Sequence, residues 1–272
     1  MSPYNLLSIA GTDPSGGAGI QADLKTFSAL GGYGASVITA LVAQNTCGVQ
    51  GVFPVSAEFV GQQLDSVLSD VNITSVKMGM LHRQEIIETV ATALQSSTIP
   101  WRIVDTVMLA KSGDPLLDPD AIRCLCEVLI PTVSIITPNI PEAAALLDCR
   151  PAQSEQQMRD QGERLLALGC EAVLMKGGHL QAVESPDWLI TSAGHQRFTQ
   201  PRIATRNTHG TGCSLSAALA ALRPHCTDWS QTTWLAKRWL QGAIANADEL
   251  DVGQGHGPVH HFYQHWPVTL PQ

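Results

Sequence analysis

The feature that most constrains this chain is a regular alternation of short apolar runs with longer amphipathic or alanine-rich segments. Residues 5–10 form a short apolar run, and residues 20–30 carry helical periodicity closed by Gly31-Gly32, the usual end for a helix. Residues 35–43 and 49–55 are β-branched, apolar runs, and Ser56 is a helix N-cap for a segment reaching about residue 69. The pattern continues with a strand over 75–78, a helix over 84–94 and a strand over 103–107. Asp118-Pro119 is a strong helix start; that helix is expected to run to about residue 129 and to precede a strand over 133–136. Helices over 142–147 and 155–168, a strand over 172–176, a hairpin over 187–191 and 196–199, and a last helix over 229–249 complete the series. Buried strands joined by crossover helices predict a mainly parallel central sheet with right-handed connections and helices on both faces, a three-layer α/β fold. No repeat and no Pro/Gly/Ser-rich linker interrupts the series, so the expectation is a single domain over residues 1–272.

In such sheets ligands bind beyond the carboxyl ends of the strands. The polar residues fall there: Gly11-Thr12-Asp13, Gln44-Asn45, Asp105, Thr137 with Asn139 and Glu142, and Lys176-Gly177-Gly178. The stretch from Asn207 to Ala221 is the most pointed of these. Gly210-Thr211-Gly212-Cys213 turns directly into an Ala/Leu-rich helix, whose first-turn N–H groups lie at the positive end of the macrodipole and suit a phosphate. A thiol at that position is expected to ionise more easily than usual; the plain alternative is a glycine turn with a structural Cys213.

The other residues have two readings each. Asp23, one turn into the first helix, is the carboxylate nearest the first glycine loop, or a solvated helix charge. Gln44 offers a donor and an acceptor side by side, suited to an aminopyrimidine edge, or it caps a strand end. Met80 lines a pocket or fills core. Asp105, Asn139 and Glu142 are oxygen donors of the kind Mg²⁺ prefers, with water and substrate phosphates completing its shell; Asn139 and Glu142 also have capping-box spacing, and the two roles are compatible. Lys176 closes an apolar strand, where a buried ammonium needs a counter-charge, and it could neutralise nucleotide phosphates.

Several classes are disfavoured. The first loop lacks the Gly-Lys-Ser/Thr ending of a Walker loop, and after Asp23 the next acid is Glu58, so the ribose-binding acid of a dinucleotide fold is missing. The net charge of −8 argues against nucleic-acid or anionic-membrane surfaces. Seven cysteines without metal-type spacing read as free thiols in a reducing cytoplasm. No secretory leader and no membrane-spanning run is indicated. The histidines at 256, 260, 261 and 265 have i,i+4 pairs, but the segment is interrupted by Gly and Pro and is expected to be a partly exposed tail.

Long motifs in order along nearly the whole chain tie these residues together: Ala10 to Lys25, Thr39 to Thr46, Val76 to Met80, Lys111 to Leu117, Thr137 to Ala143, Lys176 to His179 and Asn207 to Ala221. Together they resemble the hydroxymethylpyrimidine/phosphomethylpyrimidine kinases of the ribokinase-like superfamily. The resemblance implies ATP, Mg²⁺, a homodimer, and two successive phosphorylations of a hydroxymethylpyrimidine in thiamine biosynthesis. It implies that Gln44 and Asp23 hold the ring in a pocket shaped by Gly11, Ala18, Val42, Met80 and Val107. It places Asp105, Asn139 and Glu142 around Mg²⁺, with Thr137 and Asn139 beside the nucleotide and Lys176 on its phosphates. Gly210 to Cys213 would be the anion hole. Cys213 stands where the sugar-kinase branch has an Asp base, which points to the pyrimidine and pyridoxal branch; pyridoxal kinase is the alternative.

Overall fold

A computed structural model of the chain describes residues 3–108, 117, 119–180 and 184–266. Asp118 and the motif residues 111–116 lie outside these. The elements follow the expected alternation: β1 (Asn5–Ala10), α1 (Gly19–Ala29), β2 (Tyr33–Ile38), β3 (Ala40–Asn45), β4 (Gly48–Pro54), α2 (Ala57–Leu68), β5 (Ser75–Met78), α3 (Gln84–Gln95), β6 (Trp101–Val104), α4 (Pro119–Cys124), β7 (Ile135–Ile136), α5 (Ile140–Leu146), α6 (Glu155–Leu166), β8 (Ala172–Lys176), β9 (Asp187–Thr191), β10 (Gly194–Phe198), α7 (Thr211–Leu222) and α8 (Trp229–Ala245). Among the described residues the main sheet has the order β10-β9-β8-β7-β6-β5-β1-β2. It is parallel from β2 to β8, and β9 and β10 add an antiparallel edge.

Two apolar layers clothe the sheet. One joins Leu7, Ile9, Val76 and Met78 to helices α2, α3, α5 and α6 through Leu64, Ile87, Ile140 and Leu165. The other joins Leu6, Ile103 and Leu174 to α1, α7 and α8 through Phe27, Leu219 and Trp239. Burying each of these large side chains contributes about 1.5–3 kcal/mol. α7 is the central helix of its layer. Its buried residues include Ala217, Ala218, Ala220 and Ala221, and these small side chains let it lie close to the sheet and bring its N-terminus to the strand ends.

Two expectations needed correction, and a third is sharpened. The apolar run 35–43 is not one strand. It breaks at Thr39, whose hydroxyl donates to the Met80 carbonyl at 2.6 Å and whose N–H donates to the Ala10 carbonyl at 3.0 Å. Beyond this anchor the chain leaves the main sheet, and β3 pairs only with β4 as an antiparallel hairpin. Both arms are apolar, so periodicity could not show the break. The helix expected over 118–129 is α for six residues only and then widens into a π-turn over Leu125–Leu129. The C-terminal segment is partly exposed as expected, at His256 and His265, but its middle is packed into the fold. His260 and His261 are buried, Phe262 and Tyr263 pack on the α7/α8 layer, and His261 shares a hydrogen bond of 2.9 Å with Ser214.

Candidate active site

The strand ends, the β3–β4 hairpin and the start of α7 enclose an open cavity of about 940 Å³. Gly11, Ala18, Val42, Gln44, Met80, Asp105, Val107, Asn139, Glu142, Lys176 and the stretch Gly210 to Cys213 all line it. A second hollow of about 960 Å³ between α2 and α3 has Asp65, Glu85 and Glu88 among small polar residues, and neither a cation nor a thiol lines it. The first cavity is therefore where reactive groups converge.

One end of this cavity is charged. Asp105 follows β6 and Lys176 closes β8, and their ion pair measures 3.0 Å. The hydroxyls of Thr137 and Ser216 donate to the Asp105 carboxylate at 3.2 and 3.3 Å. Glu142 lies 3.8 Å from the Lys176 ammonium. Its position follows from local structure: the Asn139 side chain accepts from the Glu142 N–H at 2.8 Å, and the Glu142 carboxylate accepts from the Asn139 N–H at 2.8 Å. This capping box, with Thr106 donating to the same carboxylate oxygen, aims Glu142 at the lysine. Burial alone would lower the Lys176 pKa, but Asp105 and then Glu142 outweigh it and hold the ammonium charged. Burial pushes Glu142 above the ordinary carboxylate range, although Lys176 opposes this. Asp105 is lowered despite its burial, by Lys176 first and Lys77 next. Thr137 is a support beneath Asp105 and does not line the cavity.

α7 starts directly over this cluster. A Cβ at Gly212 would lie 3.5 Å from Asp105 Oδ2 and 3.6 Å from Lys176 Nζ. No side chain caps α7, so the usual capping acceptor is absent from its first-turn N–H groups. Gly210 has a left-handed φ of 76°, and a Cβ there would sit 1.7 Å from the Gly17 carbonyl oxygen. The turn before α7 is thus pressed against the first glycine loop, a contact that only glycine permits.

Asp13 organises that first loop, a role the sequence reading missed. Its buried carboxylate accepts from the N–H groups of Ser15, Gly17 and Ala18 and pairs with His209 at 2.7 Å. Burial opposes its ionisation, but hydrogen bonds from His209, Ser15 and Gln44 hold the carboxyl well below its usual range. Asp13 therefore joins the loop after β1, the turn before α7 and the amide of Gln44.

Asp23 does not line the cavity. It is fully buried and forms an ion pair of 2.9 Å with Lys77, with the Ser8 hydroxyl as a second donor. Lys77 is the group that reaches the cavity wall. Burial would lower the Lys77 pKa, yet Asp23 keeps it raised. Lys77, next to the end of Ser75-Val76-Lys77-Met78, is a second buried ammonium in a short strand that needs a counter-charge, the same sequence signal that marks Lys176.

Cys213 departs from its expectation. Burial pushes its thiol up to about 11, against the pull of Lys77 and a hydrogen bond from Gly19. The desolvation of this site outweighs the helix terminus and disfavours the thiolate. At the other end the wall is mostly apolar: Val42 and Met80 pack with Ala40, and Gln44 supplies the amide.

A chain with this fold, with a charged end and a largely apolar wall in one cavity, has clear relatives. The profile described as phosphomethylpyrimidine kinase matches residues 13–260. The chain belongs to the phosphomethylpyrimidine kinase family. It is 64% identical to the hydroxymethylpyrimidine/phosphomethylpyrimidine kinase of Salmonella typhimurium, covering 98% of this chain and all of that one. Its fold is similar to an ADP complex of Bacillus subtilis pyridoxal kinase, with TM-score 0.89 and 32% identity over 97% of this chain and 99% of that one. It is also similar to the phosphomethylpyrimidine kinase of Clostridium difficile, with TM-score 0.79 and 40% identity over 89% of this chain and 99% of that one. Membership of this family agrees with the expected α/β architecture with a mainly parallel central sheet.

Proposed function

We propose that this protein transfers the γ-phosphoryl group of ATP to the hydroxymethyl oxygen of 4-amino-5-hydroxymethyl-2-methylpyrimidine, and then phosphorylates the monophosphate to the diphosphate. The observation that carries the reading is one cavity with two unlike ends: Lys176, Asp105, Glu142 and the start of α7 at one, Gln44 in an apolar slot at the other.

Phosphoryl transfer needs positioning and charge neutralisation more than covalent chemistry. Lys176 neutralises the transferring phosphates, and the N–H groups of Gly212 and Cys213 stabilise charge on the equatorial oxygens. Gln44 reads the aminopyrimidine edge, while Gly11, Ala18, Val42, Met80 and Val107 shape the slot. Asp23 acts through Lys77, which it holds at the wall. The pair of carboxylates beside Lys176 fits Mg²⁺, which takes one or two carboxylates with substrate phosphates and water. Asp105 and Glu142 would hold it, with Asn139 beside them, and it would supply charge neutralisation at the phosphates.

As the hydroxymethyl oxygen bonds to the γ-phosphorus, the bond to the β–γ bridging oxygen breaks and ADP leaves. Cys213, as thiolate, accepts the hydroxyl proton. Lys77 favours that thiolate, and burial makes it a minor species at rest.

We place the protein in the cytoplasm, in keeping with its seven free cysteines. We read it as a homodimer, because the outer face of the hairpin exposes Leu41 at 49% and Phe53 at 69%. The test is turnover with the alcohol and with its monophosphate, followed by phosphorus NMR. Formation of the mono- and then the diphosphate is expected, and failure on both substrates refutes the reading. The likeness to pyridoxal kinases supports one alternative, which direct competition decides: a kcat/KM favouring pyridoxal reverses the assignment.

A further inference from the structure

The segment Gly253-Gln254-Gly255-His256-Gly257-Pro258 has no part in the chemistry above, yet it touches both ends of the cavity. On one side it grips the hairpin tip, just beyond Gln44. The His256 N–H donates to the Thr46 carbonyl at 2.9 Å, and the Gly255 N–H donates to the Thr46 hydroxyl at 3.1 Å. On the other side it runs beside the turn that leads into α7. The Gly257 N–H donates to the Asn207 side chain at 3.1 Å, the His209 N–H donates to the Gly257 carbonyl at 3.0 Å, and His209 and Pro258 form a parallel bridge. The His256 ring Nδ1 lies 3.0 Å from the Arg206 carbonyl. A carbonyl only accepts, so that nitrogen carries the proton.

The alternating glycines follow from these contacts. A Cβ at Gly255 would lie 2.0 Å from the Thr46 carbonyl oxygen, and one at Gly257 would lie 2.4 Å from Asn207 Oδ1. One glycine thus serves the hairpin and the next serves the anion-hole turn. The turn is anchored further by Asn207, whose amide donates to Asp248 at 2.8 Å. The hairpin tip has no strand of the main sheet beside it, because β3 and β4 pair only with each other.

We propose that this segment is a tie between the acceptor wall and the anion hole, and that Thr46 and His256 are positioning residues for phosphoryl transfer. Seating a pyrimidine against Gln44 fixes the hairpin tip. Through Thr46 and residues 255–257 this fixes the turn at Asn207 to Gly210, and with it the start of α7. By reciprocity, a nucleotide phosphate held by α7 favours the hairpin position that accepts the pyrimidine. The inference rests on the kinase reading and specifies how its two ends communicate.

The experiment is a crossed measurement. Gly257→Ala disturbs only the anion-hole side, and it is expected to raise the pyrimidine KM about tenfold although it does not touch the hairpin. Thr46→Val disturbs only the hairpin side, and it is expected to lower kcat and weaken ADP binding by calorimetry, each about fivefold. Because both changes cut one connection, the double variant is expected to be no worse than the worse single variant. Effects confined to each variant's own end, and adding in the double variant, overturn the tie. Thermal melting of each variant shows that it is folded, and Thr46→Val, which conserves shape, keeps the test valid if Gly257→Ala does not fold. Turnover by the unmodified enzyme tests the kinase reading separately: normal turnover with no crossed effect removes only the tie.

Discussion

The two ends of the cavity are built differently. The charged end rises from consecutive strands of the main sheet: Asp105 after β6, Asn139 and Glu142 after β7, Lys176 at the end of β8. The carboxylates and the ammonium are partnered within a buried cluster. The acceptor end hangs on a two-stranded hairpin outside that sheet, where Gln44 is half-buried and alternate residues, Leu41 and Ala43, are exposed. Charge stabilisation depends on dipoles and charges that need not reorganise during reaction, so it is placed on the rigid sheet. Recognition of a flat ring, once as alcohol and once as phosphate ester, calls for a wall that can adjust. Variants of the side chains that face the ligands should therefore act on kcat at the charged end and chiefly on pyrimidine KM at the hairpin, whereas only variants in the tie at Thr46 and residues 255–257 cross from one end to the other.

Lys176→Met tests the rigid end and has the largest expected effect. It removes the cation from Asp105 and Glu142 and leaves two buried carboxylates facing each other. Loss of one such stabilising group lowers kcat by roughly 10²–10³-fold, and steady-state kinetics in saturating pyrimidine should show it with little change in pyrimidine KM. A loss under tenfold would break the contrast at its strongest point.

The next test concerns Cys213, where the two ends meet. With its thiol pushed up to about 11, the thiolate fraction at pH 7.5 is on the order of 10⁻³ to 10⁻⁴. A base present in so small a fraction makes kcat/KM climb with pH, by about tenfold per unit between pH 7 and 9, because the deprotonated form of the free enzyme grows as pH rises toward the thiol pKa. Cys213→Ser should lose roughly 10²-fold and also lose this slope. A flat wild-type profile would reduce the thiol to a shaping role and hand the proton to the phosphoryl oxygens.

At the hairpin, Gln44→Leu conserves bulk and removes the amide that reads the ring edge. The missing hydrogen bonds are worth about 1–3 kcal/mol, so pyrimidine KM should rise by roughly 5–150-fold, with a smaller change in ATP KM and saturated kcat because the same amide also bonds Asp13 beside the turn into α7. An equal change in both KM values would mean that the ends are not separable.

The same contrast explains what the sequence could show. The charged end was legible because its residues sit where strands stop, and strand ends can be located from hydrophobic runs; Lys176, Asp105 and the Asn139/Glu142 capping box all follow from position and local chemistry. The hairpin was hidden because residues 35–43 stay apolar across the break at Thr39, and the anchor there is a hydrogen bond to Met80, forty-one residues away. Asp13 and His209 escaped for a similar reason: their pairing joins positions 196 residues apart. Cys213 was misjudged because helix position is visible in sequence and depth of burial is not.

The smallest expected effect separates stability from chemistry at the charged end. Asn139→Ala deletes the side chain that caps α5 and accepts from the Glu142 N–H. Loss of an N-cap acceptor costs about 1 kcal/mol, a fall of roughly 2–4 °C in Tm for a domain of this size. Glu142 itself keeps its place, because its carboxylate is held by the Asn139 backbone N–H, which alanine retains, and by the Thr106 hydroxyl. Saturated kcat should therefore change by less than about fivefold, since each backbone or hydroxyl bond that survives is worth about 1 kcal/mol. Calorimetric melting and kcat measured on the same preparation check both halves. A large fall in kcat with Tm unchanged would show that the Asn139 side chain touches nucleotide or Mg²⁺ itself; a fall in Tm with kcat preserved shows that, at this end, the backbone aims the carboxylate and the side chain only steadies the helix.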